Sequence, residues 1–517
     1  MAAPQDMEPN AKTAEAETSS HRSLEAFAIQ DGTLDVAARF YSTLDPAIRD
    51  EPISDKEMRR VRWKIDLIVV PVLAVATLLA SLDKLALSNA AIYGMREDTH
   101  LTGDRYSLVG TLFFVGYALF EGPFAWAIQR LPVAKLLAVT VFFWGVLNMC
   151  CAATHNFPGI AVARFFMGGT EAIMYPVSSV MTTMWWTKKE QPVRIAIWFN
   201  QFSTIFSGLI AYGVGRSHHD IAKWREIFLI VGGISVAWAI VIFIFLPDSP
   251  VNCRWLDERG KFIAIERVKV NNTGMEEKHM VKWNQVWEAV VDPKTWLLVT
   301  FGTAQNIING GLNTFAAIIV SEFGFNKEET VLLGMPTGVI GTAWQVILAV
   351  ICAHTVNKRC VIIATANLLP LLCAVLLWQL PRSNKHGLLA AYLLFYSYFG
   401  SYVLASSLPM ANTSGHSKKV TMNAFFFASY ALGNLIGPQV FRANDAPTYI
   451  RGYTGLTCVC IVSIVAISLY GLCCWNENRL RDKAFGEANQ ESMQQTQAEA
   501  AFSDKTDKEK PWFRYSY

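Results

Sequence analysis

Charged side chains are scarce in this sequence: Asp, Glu, Lys and Arg make up 17% of its 517 residues, where a soluble domain carries about 25%. That excludes an ordinary water-facing surface over most of the chain. With 52% hydrophobic residues and a mean hydropathy of +0.27, a lipid bilayer is the expected surrounding. A net charge of +3 is too small and too dispersed for a nucleic-acid partner. No His-rich cluster, GxSxG or P-loop occurs, so neither an enzyme nor a metal or other cofactor is expected. His218-His219-Asp220 lacks a third spaced ligand. CxxC…CxxC spacing is also missing, and Cys150, Cys151, Cys458, Cys460, Cys473 and Cys474 lie in apolar runs, which reads as reduced, buried thiols. The first 58 residues contain no apolar h-region, so the first span, not a cleaved leader, is expected to direct insertion.

What is present is a series of apolar segments, each near the ~20 residues that cross a bilayer as a helix. Twelve are expected, near 67–91, 105–128, 133–154, 158–186, 193–216 and 223–246, then 296–321, 330–354, 359–380, 387–411, 418–441 and 453–476. Pro176 and Pro438 are expected to interrupt their spans. The pattern predicts an all-α integral membrane protein in two halves: six-helix bundles at 59–246 and 296–476 joined by a polar loop at 247–295. The loop carries Arg254, Arg259, Lys261, Arg267, Lys269, Lys278 and Lys282, and the flank before the first span carries Arg59, Arg60, Arg62 and Lys64. Both therefore read as cytoplasmic, and both termini with them. The tails, 1–58 and 477–517, are predicted cytoplasmic, with 1–58 and the stretch from about 483 disordered by composition. The sequons at Asn271 and Asn412 fall on or near the same side and read as chance.

Four ionisable residues break the apolar rule. Asp83 and Lys84 follow VVPVLAVATLLAS in the first span, and Arg164 and Glu171 flank FFMGGT in the fourth. A charge at bilayer depth costs roughly 2.5–3.5 kcal/mol on insertion scales, so such residues face a bundle interior or wet cavity and mark an ion or substrate pathway. Arg164 and Glu171 are two turns apart, on one face and about 10 Å along the axis. Gly168 and Gly169 between them permit close approach of a helix or a ligand. The alternative is a set of internal salt bridges that lock the helices. Glu121, one turn after Tyr117, either titrates or hydrogen-bonds at a packing seam.

The second half replaces charge with amides. Gln305, Asn309 and Asn313 recur every four residues, and Asn423, Tyr430 and Asn434 share a helical side. Amides do not titrate near neutral pH, so they suit substrate hydrogen bonding, or else interhelical adhesion. Tyr392, Phe395, Tyr396, Phe399 and Tyr402 form an aromatic stripe that either packs or walls a cavity.

These residues resemble the Major Facilitator Superfamily, in particular its anion:cation symporters and the fungal allantoate-permease-like branch. The resemblance covers about 58–482. It rests on KIDLIVVPVL, LDK at 82–84, FFVGYALFEGP, RFFMGGTEA at 164–172, WREIF with LPDSP, NGGLNTF, FGF and the run from Ala411 to Phe441. It implies two pseudo-symmetric six-helix bundles around a midplane cavity, working by alternating access. It further implies proton binding at Asp83 and Glu171, and substrate-carboxylate binding at Lys84 and Arg164. Lys84 stands where the family usually has Arg, which keeps the charge and loses the bidentate fork. AIQRLPVAK is a degenerate gating motif that leaves Arg130 and Lys135 as its basic part, and Gly232-Gly233 replaces the usual Glu-Gly.

The expected function is proton-coupled import of a small organic anion, such as allantoate, a vitamin or a sugar acid, across the plasma membrane by a monomer. Lys84, Arg164, Asn309, Asn313, Asn423 and Asn434 are the expected substrate ligands, Asp83, Glu171 and Glu121 the coupling acids, and Arg130 and Lys135 the gating residues. An exporter of an anionic secondary metabolite and a transporter-like nutrient receptor are the alternatives.

Overall fold

The computed structural model describes residues 40, 44, 45, 48, 51–102, 104–187, 190–198, 201–269, 282–355, 357–442, 445, 449–485, 505–510 and 513–517. Among them every regular element is a helix. The first half contains α1 (Asp55–Ala90), α2 (Arg105–Arg130), α3 (Val133–Ala152), α4 (Phe157–Glu171), α5 (Met174–Trp185), α6 (Gln191–Trp198), α7 (Ser203–Gly215) and α8 (Lys223–Phe245). Between the halves come α9 (Glu258–Lys269) and α10 (Trp283–Val291). The second half contains α11 (Pro293–Ser321), α12 (Lys327–Gly334), α13 (Pro336–Ala353), α14 (Arg359–Ala366), α15 (Leu368–Gln379), α16 (Lys385–Phe395), α17 (Tyr398–Ala405), α18 (Leu408–Ala411), α19 (His416–Val440) and α20 (Ile450–Phe485).

Eight helices among the described residues are long and apolar enough to cross a membrane. The expected fourth, fifth, seventh and eleventh spans fall short of that test. The fourth carries Arg164 and Glu171, the fifth is interrupted between α6 and α7, and α11 and α19 are diluted with amides and Gly. A helix facing lipid must be apolar, whereas one facing protein or a wet cavity need not be. These less apolar helices do line the centre.

Local sequence explains the helix ends. Asn156 caps α4 by accepting from the Gly159 amide at 3.0 Å, with Pro158 in the first turn. Asp292 does the same for α11 through the Lys294 amide at 3.0 Å. Asn326 and Glu329 form a capping box on α12. The break between α4 and α5 comes at Ala172–Ile173, where Pro176 removes one amide and crowds the carbonyl four residues back. Pro438 does not interrupt its span: α19 runs through it to Val440, as α1 and α2 run through Pro71 and Pro123.

Close helix pairs depend on glycine. A Cβ on Gly168 would overlap the Phe113 carbonyl, so α4 lies directly against α2; the pair 168–169 serves a helix contact, not a ligand. Gly310 brings α11 as close to α19, where a Cβ would sit 2.7 Å from the Asn434 carbonyl.

The chain divides into two compact units. The smaller comprises residues up to 67, 181–192 and 247–277. In it Arg259 donates to the carbonyls of Ile48, Glu51 and Pro52 at 2.7–3.1 Å, Arg267 pairs with Glu190 at 2.8 Å, and Trp186 donates to Asp66 at 2.7 Å. The larger unit, 68–180, 193–246 and 278–517, holds most of the first bundle and all of the second.

Two sequence expectations change here. Helices α9 and α10 occupy part of the expected loop 247–295, and α20 runs to Phe485, well into the expected tail at 477–517. Residues 505–510 and 513–517 are also packed, with Asp507 and Tyr515 buried, so composition misjudged that segment. Of the expected N-terminal tail, 1–39 lies outside the described residues.

Candidate functional site

Asp83, Lys84, Arg164 and Glu171 come together as two crossed ion pairs between α1 and α4. Lys84 Nζ lies 2.5 Å from Glu171 Oε1, and Arg164 Nη1 lies 3.4 Å from Asp83 Oδ2. The pairing is possible because neighbours on α1 point about 100° apart, toward residues two turns apart on α4. All four are buried. Asp83 also accepts from Asn148 Nδ2 of α3 at 2.9 Å, a partner the sequence did not single out. Arg164 is held between the rings of Phe113 and Phe228, at 5.9 and 5.4 Å. Its Nε and Nη2 find no hydrogen-bond partner among the described residues. An isolated buried charge is costly, so each pair protects its members.

Lys84 differs from Arg164 in facing a cavity. The space measures about 720 Å³, part of it open solvent, and lies between the halves. The first half contributes Thr77, Ser81, Lys84, Leu85, Tyr175, Trp198, Gln201, Ser203 and Thr204. The second contributes Asn309, Asn313, Tyr396, Tyr398, Phe399, Tyr402 and Tyr430. Seven of these sixteen are aromatic, and Lys84 is the one charged residue among them. Its Nζ lies 3.2 Å from Tyr430 OH and over the rings of Tyr175 and Tyr430 at 5.6 and 5.9 Å.

The amides divide by position. Asn309 and Asn313 line the cavity. Asn434 is fully buried behind them: its Oδ1 accepts from Asn309 Nδ2 at 2.8 Å, and its own Nδ2 donates to the Tyr430 carbonyl at 2.8 Å and to Asn306 Oδ1 at 3.2 Å. Tyr398 OH and Asn313 Nδ2 both donate to Asn309 Oδ1, at 2.8 and 3.2 Å. Asn309 is thus oriented from three sides. Gln305 bonds Asn367 and Ser463, away from the cavity. Asn423 also lies off the lining and donates to the Lys419 carbonyl at 2.9 Å. Glu121 is half-buried on α2 and is not in the lining either. Arg130 is exposed against the ring of Trp126, and Lys135 is exposed at the start of α3.

The aromatic stripe serves both roles considered for it. Tyr396, Phe399 and Tyr402 wall the cavity, whereas Phe395 is packed away. Tyr175 and Gln201 were missed. Tyr175 is one turn beyond Glu171, a spacing that would have found it; Gln201 follows a break in its span and left no periodic signal. Its Oε1 is buried without a hydrogen-bond partner among the described residues.

Hydrogen bonds between the halves concentrate at one end. Tyr106 OH donates to the Thr314 carbonyl at 2.5 Å, Ser107 to that of Phe441 at 3.0 Å, Thr111 to that of Leu435 at 3.2 Å, and the Ala317 amide to Ser88 at 2.8 Å. Thr314 and Ala317 lie toward the far end of α11, which starts at Pro293, so this bonded end lies opposite residues 282–292, the loop end of the larger unit.

Comparisons with known proteins agree with this architecture. A family model described as Major Facilitator Superfamily matches residues 73–438. An MFS-type transporter of Penicillium expansum is 36% identical over 483 residues, covering 93% of each chain. The allantoate permease of Saccharomyces cerevisiae is 34% identical over 479 residues, covering 90% of this chain and 87% of its own. Among solved structures, an inward-facing bacterial homologue of the lysosomal transporter Spinster superposes with a TM-score of 0.58 at 14% identity, covering 78% of this chain and 96% of that one. A D-xylose-proton symporter gives 0.58 at 11% identity, covering 77% and 96%. The structural likenesses show the fold, and the sequence relatives are transporters, not enzymes. The chain belongs to the Major Facilitator Superfamily, as an integral-membrane secondary transporter related to fungal allantoate permease.

Proposed function

We propose that this transporter carries a small organic monoanion with a planar body, together with a proton, by alternating access. The observation that carries the reading is the Lys84–Glu171 pair at 2.5 Å, with Lys84 on the cavity wall. A substrate carboxylate has one cation on the cavity wall to meet, Lys84, which favours a single negative charge. The aromatic walls and the fixed amide of Asn309 favour a flat body with a hydrogen-bonding edge. The allantoate permease, whose name is that of a carboxylate, supports an anionic cargo.

Charge balance supplies the coupling. When the substrate carboxylate takes Lys84, Glu171 loses its counter-ion in a site that penalises bare charge, and a proton neutralises it. Anion and proton then favour each other's binding, and linkage makes that reciprocal. Asp83 and Arg164 are a second such pair, one layer behind the wall. The loop end is read as cytoplasmic from its Lys and Arg content, the membrane as the plasma membrane and the direction as import.

The test is uptake of radiolabelled carboxylates by cells expressing the chain, at pH 5 and pH 7. Aromatic or heterocyclic monocarboxylates are expected to enter best and faster at pH 5. Uptake indifferent to pH, or preference for a neutral solute, would overturn the reading.

A further inference from the structure

Residues 505–510 and 513–517 meet a site built for them on the loop end of the second half. Two asparagines do most of the holding. Asn478, near the end of α20, donates to the Tyr515 carbonyl at 2.8 Å and accepts from its amide at 2.9 Å. Asn412, just before α19, does the same for Ser516, both bonds at 2.7 Å. A side-chain amide that pairs with a backbone donor and acceptor of one residue reads extended chain, as a neighbouring strand would. Both asparagines are buried.

Tyr515 supplies the side-chain anchor. Its ring lies between Lys294 Nζ at 3.7 Å and Arg481 Cζ at 4.9 Å, and is 1% exposed. Its hydroxyl donates to Asp507 Oδ2 at 2.6 Å, while Asp507 Oδ1 accepts from Lys418 Nζ at 2.6 Å. Arg481 also donates to the carbonyls of Asp507 and Phe513, at 3.0 and 2.8 Å. Anchor, backbone clamps and a buried ion pair are the parts of a peptide-recognition site. The groups that contact the segment come from the starts of α11 and α19 and the end of α20. Two of these helices carry Asn309 and Tyr430 on the cavity wall.

We propose that residues 505–510 and 513–517 form a built-in peptide ligand, docked in cis, that straps the loop-end termini of α11, α19 and α20 into one body. The strap is independent of substrate identity and of the ion pairs in the core. It gives the second half a fixed outer rim while the halves move about the cavity.

The test uses hydrogen exchange and thermal unfolding of the full chain in detergent. The amides of Tyr515 and Ser516 are expected to exchange on the order of 100-fold more slowly than in the free peptide. Asn412→Ala with Asn478→Ala removes that protection. Tyr515→Ala is expected to lower the melting temperature, and a synthetic peptide of residues 505–517 added in excess restores it. The same peptide with Tyr515→Ala does not. Free-peptide exchange rates in the unaltered chain would overturn the proposal, as would equal rescue by both peptides. Intermolecular, rather than intramolecular, cross-linking between Asp507→Cys and Lys418→Cys in a mixed population would overturn docking in cis.

Discussion

Lys84 of the first half and Tyr430 of the second meet at the cavity, Nζ to OH 3.2 Å, while the same ammonium is paired with Glu171. One side chain therefore senses the opposite half, the acid behind it and whatever enters the cavity. Tyr430→Phe removes the cross-half bond and keeps the ring. A hydrogen bond to a charged group contributes about 1.5–3 kcal/mol, and each 1.4 kcal/mol is tenfold. The expected result is a KM raised by about tenfold or more with Tyr430→Phe, and loss of uptake with Lys84→Met. Unchanged kinetics for both, read by initial-rate uptake, would remove Lys84 from the substrate path.

Glu171→Gln imitates a permanently protonated carboxyl and leaves Lys84 free for the anion. Exchange of labelled for unlabelled substrate is expected to continue in proteoliposomes, whereas accumulation driven by a pH gradient is lost. Should the variant still concentrate substrate under that gradient, Glu171 is not the coupling group.

Arg164 and Asp83 are sealed away from the cavity, so single substitutions confuse transport with folding. Arg164→Ala strands a buried carboxylate, and breaking such a pair costs about 3–5 kcal/mol. Neutralising both, with Asp83→Asn and Arg164→Gln, removes the stranded charge. The double variant is expected to recover the thermal stability lost by Arg164→Ala while remaining defective in uptake. Full uptake by the double variant would make this pair purely structural.

The ionic core is legible in the sequence because Asp83, Lys84, Arg164 and Glu171 interrupt runs that otherwise exclude charge. Their crossed pairing is not legible: helical spacing fixes the face of one helix, but not the depth at which two helices meet. The same limit separates Asn309 from Asn434. Both fall on polar stripes, yet one lines the cavity and the other is buried behind it, because Gly310 lets α19 press against α11. Residues 505–510 and 513–517 escape composition altogether. Their order depends on Asn412, Asn478 and Arg481, which are remote in sequence.

Asn434 touches no cavity space but holds Asn309 by a 2.8 Å bond. Asn434→Ala is expected to free the Asn309 amide and change the substrate ranking while leaving the pH dependence of uptake in place, since neither amide titrates. Asn309→Ala is expected to change the same ranking further. If a carboxylate panel ranks identically for both variants and the parent chain, the pair is packing adhesion only.

Docking of residues 505–517 and proton coupling are expected to respond differently to pH. Burial acts to raise the Asp507 carboxyl, but the Lys418 ammonium, hydrogen bonds from Lys418 and Tyr515, and the Lys294 charge outweigh it and hold the group below its ordinary value of 3.8. Lys418 is itself shared with Glu288 at 2.9 Å and Asp292 at 3.6 Å, and Lys508 lies 3.7 Å from Asp292. A carboxyl lowered on folding adds stability that is fully present above its unfolded value and is lost as pH falls through its folded one. Exchange protection at Tyr515 and Ser516 is therefore expected to stay constant from pH 8 to pH 5, where uptake is changing. Asp507→Asn keeps the shape and removes the charge, and is expected to weaken the protection throughout that range. Protection that fades between pH 7 and pH 5 would show that a group other than Asp507 governs the strap.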